Sequence, residues 1–151
     1  MRITARVDYA VRGVIELAAA DHLPMKGEAL AERQGIPVRF LENILGELRR
    51  SGIVASQRGA EGGYRLAVPA DTITVADVIR AVEGPLADVH GAPPEEIEYA
   101  GAAQPLQTVW VATRAALRSV LEGVTIADIA ADHLPSKLED LLTDAGAWAR
   151  R

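Results

Sequence analysis

Two stretches of the chain carry side chains that hydrogen-bond well to nucleic acid. The first holds Arg39, Glu42 and Asn43 beside apolar residues at helical spacing. Arginine donates to guanine or phosphate, glutamate accepts from the amino group of cytosine, and asparagine pairs with adenine through two hydrogen bonds. The second holds Arg58 and Arg65 around a glycine-rich segment, and a hairpin arginine suits a narrow minor groove or a phosphate. These five residues are candidate DNA contacts.

The same side chains could be ordinary solvated charges, so the elements that hold them decide between the two interpretations. Thr4 is a suitable N-cap for a first helix, and apolar spacing predicts further helices over 27–34 and 38–50. Gly35-Ile36-Pro37 separates the second helix from the third. In a helix-turn-helix the start of the later helix lies in the major groove, which places the first stretch at the base edges.

A hairpin is predicted directly after the third helix. Two short extended segments, 54–57 and 64–67, flank the turn Arg58-Gly59-Ala60-Glu61-Gly62-Gly63. Glycines permit the positive φ angles that a tight turn needs. The predicted fold is therefore mainly α with a small β-hairpin wing, which is a winged helix-turn-helix.

One more helix and a long loop are predicted after the hairpin. Thr74 and Asp77 have the spacing of a capping box, which begins a helix that Gly84-Pro85 ends. Residues 85–102 contain three prolines and two glycines and are predicted to form a loop. A loop of that length in a small domain is usually functional or disordered.

A long amphipathic helix is predicted over 103–122. Its apolar stripe consists of Leu106, Trp110, Thr113, Leu117, Val120 and Leu121, broadened by Val109 and Ala116. About 20 residues at 1.5 Å per residue give a helix of about 30 Å. Because a small winged helix cannot cover a stripe of that length, a second copy of the chain is the expected partner, and this is the predicted dimerisation helix.

Two further helix starts are predicted near the C-terminus. Thr125 with Asp128, and Ser136 with Glu139, both have capping-box spacing. The closing segment 138–148 is expected to pack on the dimer or to fray.

The chain is predicted to divide into a DNA-binding domain over 1–70, a linking helix and effector-type loop over 71–102, and a dimerisation helix with C-terminal helices over 103–151.

The net charge of the chain is −5. Residues 1–69 carry 10 Lys and Arg against 8 Asp and Glu, and residues 70–151 carry 6 against 13, which gives net charges of +2 and −7. A mildly basic front half fits a phosphate-rich partner.

Composition restricts the kinds of site. Of 151 residues 49% are hydrophobic and none is cysteine, which excludes disulfides, thiolate-bound zinc and cysteine-ligated iron–sulfur clusters within this chain. His22, His90 and His133 lie far apart in sequence, so neither a metal site nor a cofactor is expected. The opening residues lack a leader pattern and no apolar run reaches about 20 residues, so we expect a cytoplasmic protein without a membrane partner.

Several short motifs are similar to those of one known family. They are Leu30-Ala31, Gly35-Ile36-Pro37, Phe40-Leu41-Glu42-Asn43-Ile44-Leu45 with Leu48-Arg49, Gly52-Ile53-Val54, Arg58-Gly59-Ala60-Glu61-Gly62-Gly63-Tyr64-Arg65-Leu66, Met1-Arg2-Ile3-Thr4 with Asp8-Tyr9-Ala10, and Ala81-Val82-Glu83-Gly84-Pro85-Leu86. Together they resemble the Rrf-two family of bacterial transcription regulators, the IscR, NsrR and CymR type, over residues 1–132. The wing motif after an LExILxxLRxxGIV helix is the specific part of this resemblance.

The resemblance implies a homodimer built on the long helix, with Glu42, Asn43 and Arg58 at the positions that contact bases and groove. Many family members hold an iron–sulfur cluster through three cysteines in the loop after the Glu-Gly-Pro-Leu motif. Here that loop, 88–96, contains no cysteine.

The loop and its neighbours supply candidate effector contacts. Some family members recruit an acidic ligand from the first helix, and Asp8 matches that position, but Asp8 and His90 are too few ligands for a cluster. An ordinary first-turn carboxylate is the alternative role for Asp8. Tyr99 and Trp110 could line an effector pocket, although a tryptophan on a helical stripe more often belongs to a core or a dimer interface.

Three functions remain open at this point. The leading hypothesis is a homodimeric, sequence-specific DNA-binding regulator, a repressor acting on an inverted-repeat operator. The alternatives are a regulator that senses a small molecule, a metal or redox state through the 85–102 loop, and a protein–protein adaptor with a winged-helix shape. No nucleophile–base pair, phosphate loop or metal cluster in the sequence indicates an enzyme.

Overall fold

The computed structural model describes residues 2–149 and consists mainly of helices with one antiparallel hairpin. The helices are α1 Ala5–Ala19, α2 Gly27–Gln34, α3 Val38–Arg50, α4 Val75–Glu83, α5 Leu106–Leu121, α6 Ile126–Ala130 and α7 Lys137–Leu142. The strands are β1 Val54–Gln57 and β2 Gly63–Leu66. The predicted fold class is confirmed, while Arg150 and Arg151, the end of the predicted C-terminal region, lie outside the described residues.

Local signals begin and end the first three helices. The Thr4 hydroxyl accepts a hydrogen bond from the Val7 backbone N–H at 3.2 Å, so Thr4 is the N-cap of α1 as predicted. Gly35 has a left-handed backbone (φ 62°) at the C-terminus of α2, a conformation that glycine adopts without steric cost. The predicted bounds of α2 and α3 are confirmed.

The core lies where α1, α2, α3 and α4 meet. The fully buried large side chains of this core are Leu17, Leu30, Leu41, Ile44, Leu45, Leu48, Ile73, Ile126, Val14, Val54 and Val78. Burying each aliphatic side chain contributes about 1.5–3 kcal/mol, so this cluster fixes how the helices sit against one another. One whole face of α3 is used in this packing.

The hairpin is extended by a third segment. Its register runs from Val54 opposite Leu66 to Gln57 opposite Gly63, so β2 begins and ends one residue earlier than predicted. Gly63 still belongs to the ladder because it pairs with Gln57. The backbones of Met25 and Tyr64 also exchange two hydrogen bonds of 2.8 Å, which joins the segment before α2 to the wing.

Two predicted capping boxes are present at the starts of α4 and α6. In α4 the Thr74 hydroxyl accepts from the Asp77 backbone N–H while the Asp77 carboxylate accepts from the Thr74 N–H. Thr125 and Asp128 repeat this arrangement, and the Thr125 backbone N–H holds the pKa of the Asp128 carboxyl below its ordinary value. The two helix starts lie side by side through an isolated backbone bridge between Thr74 and Thr125.

Two expectations about helix starts are wrong. Ser136 adopts a helical backbone and makes no side-chain capping hydrogen bond, so the predicted capping box with Glu139 is absent. The long helix begins at Leu106 rather than 103, because a separate 3-10 turn over Gly101–Ala103 and then Pro105 precede it. Pro105 is the N-cap of α5, at the helix start, where a missing N–H costs no intrahelical hydrogen bond.

Helix α5 meets the core only at its C-terminal end, through Leu121. None of its residues is buried within the described chain, and Val109 is 52% exposed. It contacts the 3-10 turn at Pro94–Glu96 and, more sparsely, α4. No helix among the described residues has the length and apolar character to cross a bilayer.

We expect Thr74→Ala to lower the free energy of unfolding by about 1 kcal/mol, because it removes the side-chain half of a formed capping box. Ser136→Ala is the matched control and should leave the free energy nearly unchanged, since Ser136 makes no capping hydrogen bond. Urea unfolding at equal protein concentrations measures both values. Equal losses for the two variants would show that the Thr74 cap does not stabilise α4.

Candidate nucleic-acid interface

The start of α3 presents the first group of predicted DNA contacts. Arg39, Glu42 and Asn43 are all exposed, on the face opposite the buried leucines of the helix. Their spacing of three and four residues puts them side by side along about one helical turn. The structure therefore brings these three predicted residues together as one polar surface.

Aromatic contacts hold the beginning of α3 against α1. The rings of Tyr9 and Phe40 meet edge to face with their centroids 5.7 Å apart. The Arg12 guanidinium lies 5.4 Å from the centroid of Tyr9 and donates to the Gln34 side chain at 2.9 Å. Edge-to-face pairs and cation–π contacts each contribute about 0.5–1.5 kcal/mol, so α3 is oriented by specific contacts near its N-terminus.

Three elements converge at Gly27, the first residue of α2. A Cβ atom at Gly27 would lie 3.8 Å from the Glu42 Cγ and 3.6 Å from the Tyr64 ring. The N-terminus of α2, the polar face of α3 and strand β2 therefore meet beside Glu42. This junction sets the relative position of the two predicted contact regions.

The wing turn is shaped by glycines that leave no room for a side chain. A Cβ atom at Gly62 would lie 2.3 Å from the Gln57 carbonyl oxygen, and one at Gly63 would lie 2.5 Å from the Met25 carbonyl oxygen. Gly63 also has a positive φ of 150°. Arg58 is exposed in the turn that these glycines permit.

The second wing arginine lies on the strand that returns from the turn. Arg65 is exposed, and its guanidinium donates to the Leu66 carbonyl at 3.1 Å, which turns the side chain along its own strand. The structure thus places Arg58 and Arg65 on one hairpin, with Arg58 closer to the tip.

One contact that supports the wing was not predicted. The Arg49 guanidinium donates to the Ser56 hydroxyl at 3.2 Å and so connects the C-terminal end of α3 to β1. No sequence motif marks this pair, because its two members belong to different elements separated by Gly52. Only the position of Leu48-Arg49 at the end of the α3 motif indicates a specific role for Arg49.

The predicted effector residues are only partly brought together. His90, Tyr99 and Trp110 line one cavity of about 710 Å³ between the 85–102 loop and α5. The Trp110 Nε1–H donates to the Tyr99 hydroxyl at 3.1 Å. Asp8 is not among the lining residues and instead forms an ion pair with Arg12 at 2.9 Å.

An exposed polar helix face beside a glycine-shaped basic wing defines the class: a winged helix-turn-helix DNA-binding protein. The sequence profile of the Rrf2 family, described as iron-dependent transcriptional regulators, matches residues 3–132. The chain therefore belongs to the Rrf2 family, which is the family that its sequence motifs resemble. It is a DNA-binding transcriptional regulator.

Individual relatives agree with this placement. A Mycobacterium tuberculosis protein named as an HTH-type transcriptional regulator, Rv1287, is 46% identical over 145 residues, which are 95% of this chain and 90% of the relative. The structure of CymR, the global cysteine regulator of B. subtilis, matches with a TM-score of 0.74 and 32% identity over 87% of this chain and 97% of CymR. The structure of T. potens IscR matches with a TM-score of 0.68 and 28% identity over 100% of this chain and 93% of IscR.

The iron in the family description does not fit the donors of this chain. The sequence contains no cysteine. Among residues 2–149, no three His, Asp or Glu side chains are grouped so that they could hold one metal ion. The residues around the 85–102 loop therefore do not match a cysteine-ligated cluster.

We expect Gly63→Ala to weaken DNA binding by at least about tenfold, because the new Cβ would displace the wing from the Met25 carbonyl. Gly101→Ala is the matched control: Gly101 also has a positive φ (59°), but it lies far along the chain and has no atom within 4 Å of a new Cβ. Both variants should lose some stability through backbone strain, and only Gly63→Ala should lose DNA affinity in fluorescence anisotropy. Equal affinities for the two variants would contradict a role for wing geometry.

Proposed function

We propose that this protein is a homodimeric repressor that reads an inverted-repeat operator without an iron–sulfur cluster. The observation that carries the proposal is the polar face of α3, with Arg39, Glu42 and Asn43, standing beside the Arg58 wing. In this arrangement α3 enters the major groove while the wing reaches the adjacent minor groove or phosphates. Repression follows when the bound dimer occupies a promoter.

The proposed roles follow from side-chain chemistry. Asn43 pairs with adenine, Glu42 accepts from cytosine, and Arg39 donates to guanine or to a phosphate. Arg58 enters the minor groove or clamps a phosphate, and Arg65 supports it from the return strand. Since Asn43 reads a base and Arg58 acts mainly through charge, removing Asn43 should change sequence specificity, and removing Arg58 should change the salt dependence of the affinity.

Dimerisation is supported by the exposed surface of α5. Leu106, Trp110, Thr113 and Leu117, four residues of the predicted stripe, line the loop cavity. Val109, Ala112 and Ala116 lie next to that stripe and are exposed. Small residues let two helices approach closely, so we place the dimer contact on this edge of α5. A two-fold dimer presents two recognition helices to half-sites about one helical turn apart.

Selection of retained sequences from random duplexes, with chelator-treated protein, tests the proposal and supplies the operator. We expect enrichment of a palindrome. A reporter placed behind that operator should fall in expression when the protein is present. No enriched sequence, or enrichment only after iron is added, would contradict the proposal, and a rise in reporter expression would contradict repression.

Asn43→Ala should cost about 1–3 kcal/mol of binding free energy and relax specificity at one operator position.

Arg58→Ala should weaken binding on every sequence and lower the slope of log affinity against log salt by about 1. Lys137→Ala is the charge-matched control, because Lys137 lies in α7 and contacts the Ser119 carbonyl. Fluorescence anisotropy across a salt series separates these outcomes, and identical slopes for Arg58→Ala and Lys137→Ala would contradict the wing contact.

Val109→Asp should raise the dimer dissociation constant by at least about tenfold, because it places an unpaired charge in an apolar contact. Ala115→Asp is the matched control, since Ala115 is exposed on the same helix about 120° around it from Val109. Sedimentation equilibrium measures both constants. If the two variants dimerise equally well, the contact does not use the Val109 edge of α5.

A further inference from the structure

The cavity between the loop and α5 has the dimensions of a small-molecule site. Its volume is about 710 Å³, within the range of about 300–1,000 Å³ typical of ligand pockets. We call it the α5 cavity; it is lined by Ala87, Asp88, Val89, His90, Tyr99, Leu106, Trp110, Thr113 and Leu117. Apolar side chains form most of its wall, and a few polar groups converge on it.

The loop side of the α5 cavity has a defined shape. The backbones of Val89 and Ala92 exchange hydrogen bonds of 2.9 and 3.0 Å. Between them His90 and Gly91 both have positive φ angles, 53° and 82°, as in the tight turns that close hairpins. The turn keeps Asp88 and His90 at the wall of the cavity, so this side of the site is formed before any ligand binds.

The charge around the α5 cavity favours a cation. Asp88 is the one carboxylate among the lining residues. The 85–102 loop carries three more carboxylates and neither lysine nor arginine, whereas α5 brings Arg114 and Arg118 next to the lining residues Thr113 and Leu117. Of these carboxylates, Glu95 is paired with Arg114 at 2.5 Å, and its own backbone N–H and that arginine lower the pKa of its carboxyl. Arg118 lies 3.8 Å from Glu122, and Asp88, Glu96 and Glu98 leave the loop with a net negative charge after the pairing of Glu95 with Arg114.

The aromatic wall suits the same class of ligand. Trp110 is fixed by its hydrogen bond to the Tyr99 hydroxyl, and an indole face attracts an organic cation within about 6 Å of its centre. The apolar surface for the body of the ligand comes from two leucines of α5. Leu106 lies about one helical turn before Trp110, and Leu117 about two turns after it.

We propose that the α5 cavity binds a small organic ammonium ion with an apolar body. Asp88 pairs with the ammonium group, Trp110 contacts it through its ring face, and the leucines of α5 cover the body. A carboxylate or phosphate ligand is disfavoured by the charge of the loop. The site does not depend on operator binding, so it can be tested without DNA.

Tryptophan fluorescence of the full-length Trp148→Phe variant reports on the site directly. The chain has two tryptophans, and Trp148 is 74% exposed, so its removal leaves Trp110 as the only reporter. The probes are 2-phenylethylamine, neutral 2-phenylethanol and anionic 3-phenylpropanoate, which share the ring and differ in charge. We expect saturable binding of the amine at least tenfold tighter than that of either other probe.

Asp88→Asn in the same background should lose at least tenfold in amine affinity while its binding of the alcohol stays unchanged. Glu98→Gln is the matched control, because it removes a carboxylate of the same loop that does not line the cavity. Glu98→Gln should keep most of the amine preference. Equal binding of the three probes, no saturable binding, or equal losses in the two variants would overturn the proposal. Circular dichroism of each variant verifies that the fold is retained.

Discussion

Helix α3 must bury one face and expose the other, and the rest of the structure depends on that division. Its buried residues are Leu41, Ile44, Leu45 and Leu48, each no more than 1% exposed. Because side chains repeat around a helix every 3.6 residues, this packing forces the polar residues between them outwards. Tyr9 and Phe40 then hold the start of the helix, and Glu42 lies beside Gly27, next to the Tyr64 ring of the wing. The polar surface that we propose contacts DNA is thus a consequence of core packing.

The second half of the chain is built on a different principle. Helix α5 has no buried residue within the described chain; it lies mainly against the 85–102 loop and meets the core only through Leu121 at its C-terminal end. Its apolar residues serve two surfaces, one facing the loop cavity and one carrying Val109 outwards. In a family described as iron-dependent, this loop lacks the thiolates that hold a cluster. The loop and α5 instead enclose the α5 cavity, whose lining includes Tyr99 and Trp110.

Elements set by local chemistry were predicted from the sequence, and contacts between distant segments were not. The bounds of α2 and α3 follow from Gly35 and Pro37, which act within a few residues of themselves. Ser136 shows the limit of such signals, because a cap needs an extended backbone as well as a hydroxyl, and Ser136 is helical. The hydrogen bond between Arg49 and Ser56 depends on how a strand folds back on a helix, which spacing does not reveal. The sequence leaves two roles open for Asp8, and the structure places it in the first turn of α1, paired with Arg12.

Footprinting on the selected operator shows whether α3 and the Arg58 wing contact DNA together. Chelator-treated protein is bound to the operator, hydroxyl radicals probe the minor groove, and methylation probes guanines in the major groove. The account predicts two sets of protected positions related by two-fold symmetry, each with a major-groove patch for α3 and an adjacent minor-groove patch for the Arg58 wing. Arg58→Ala should remove only the minor-groove patches. Protection that is absent, confined to one half-site or dependent on added iron would contradict a cluster-independent dimer that reads DNA through these two elements.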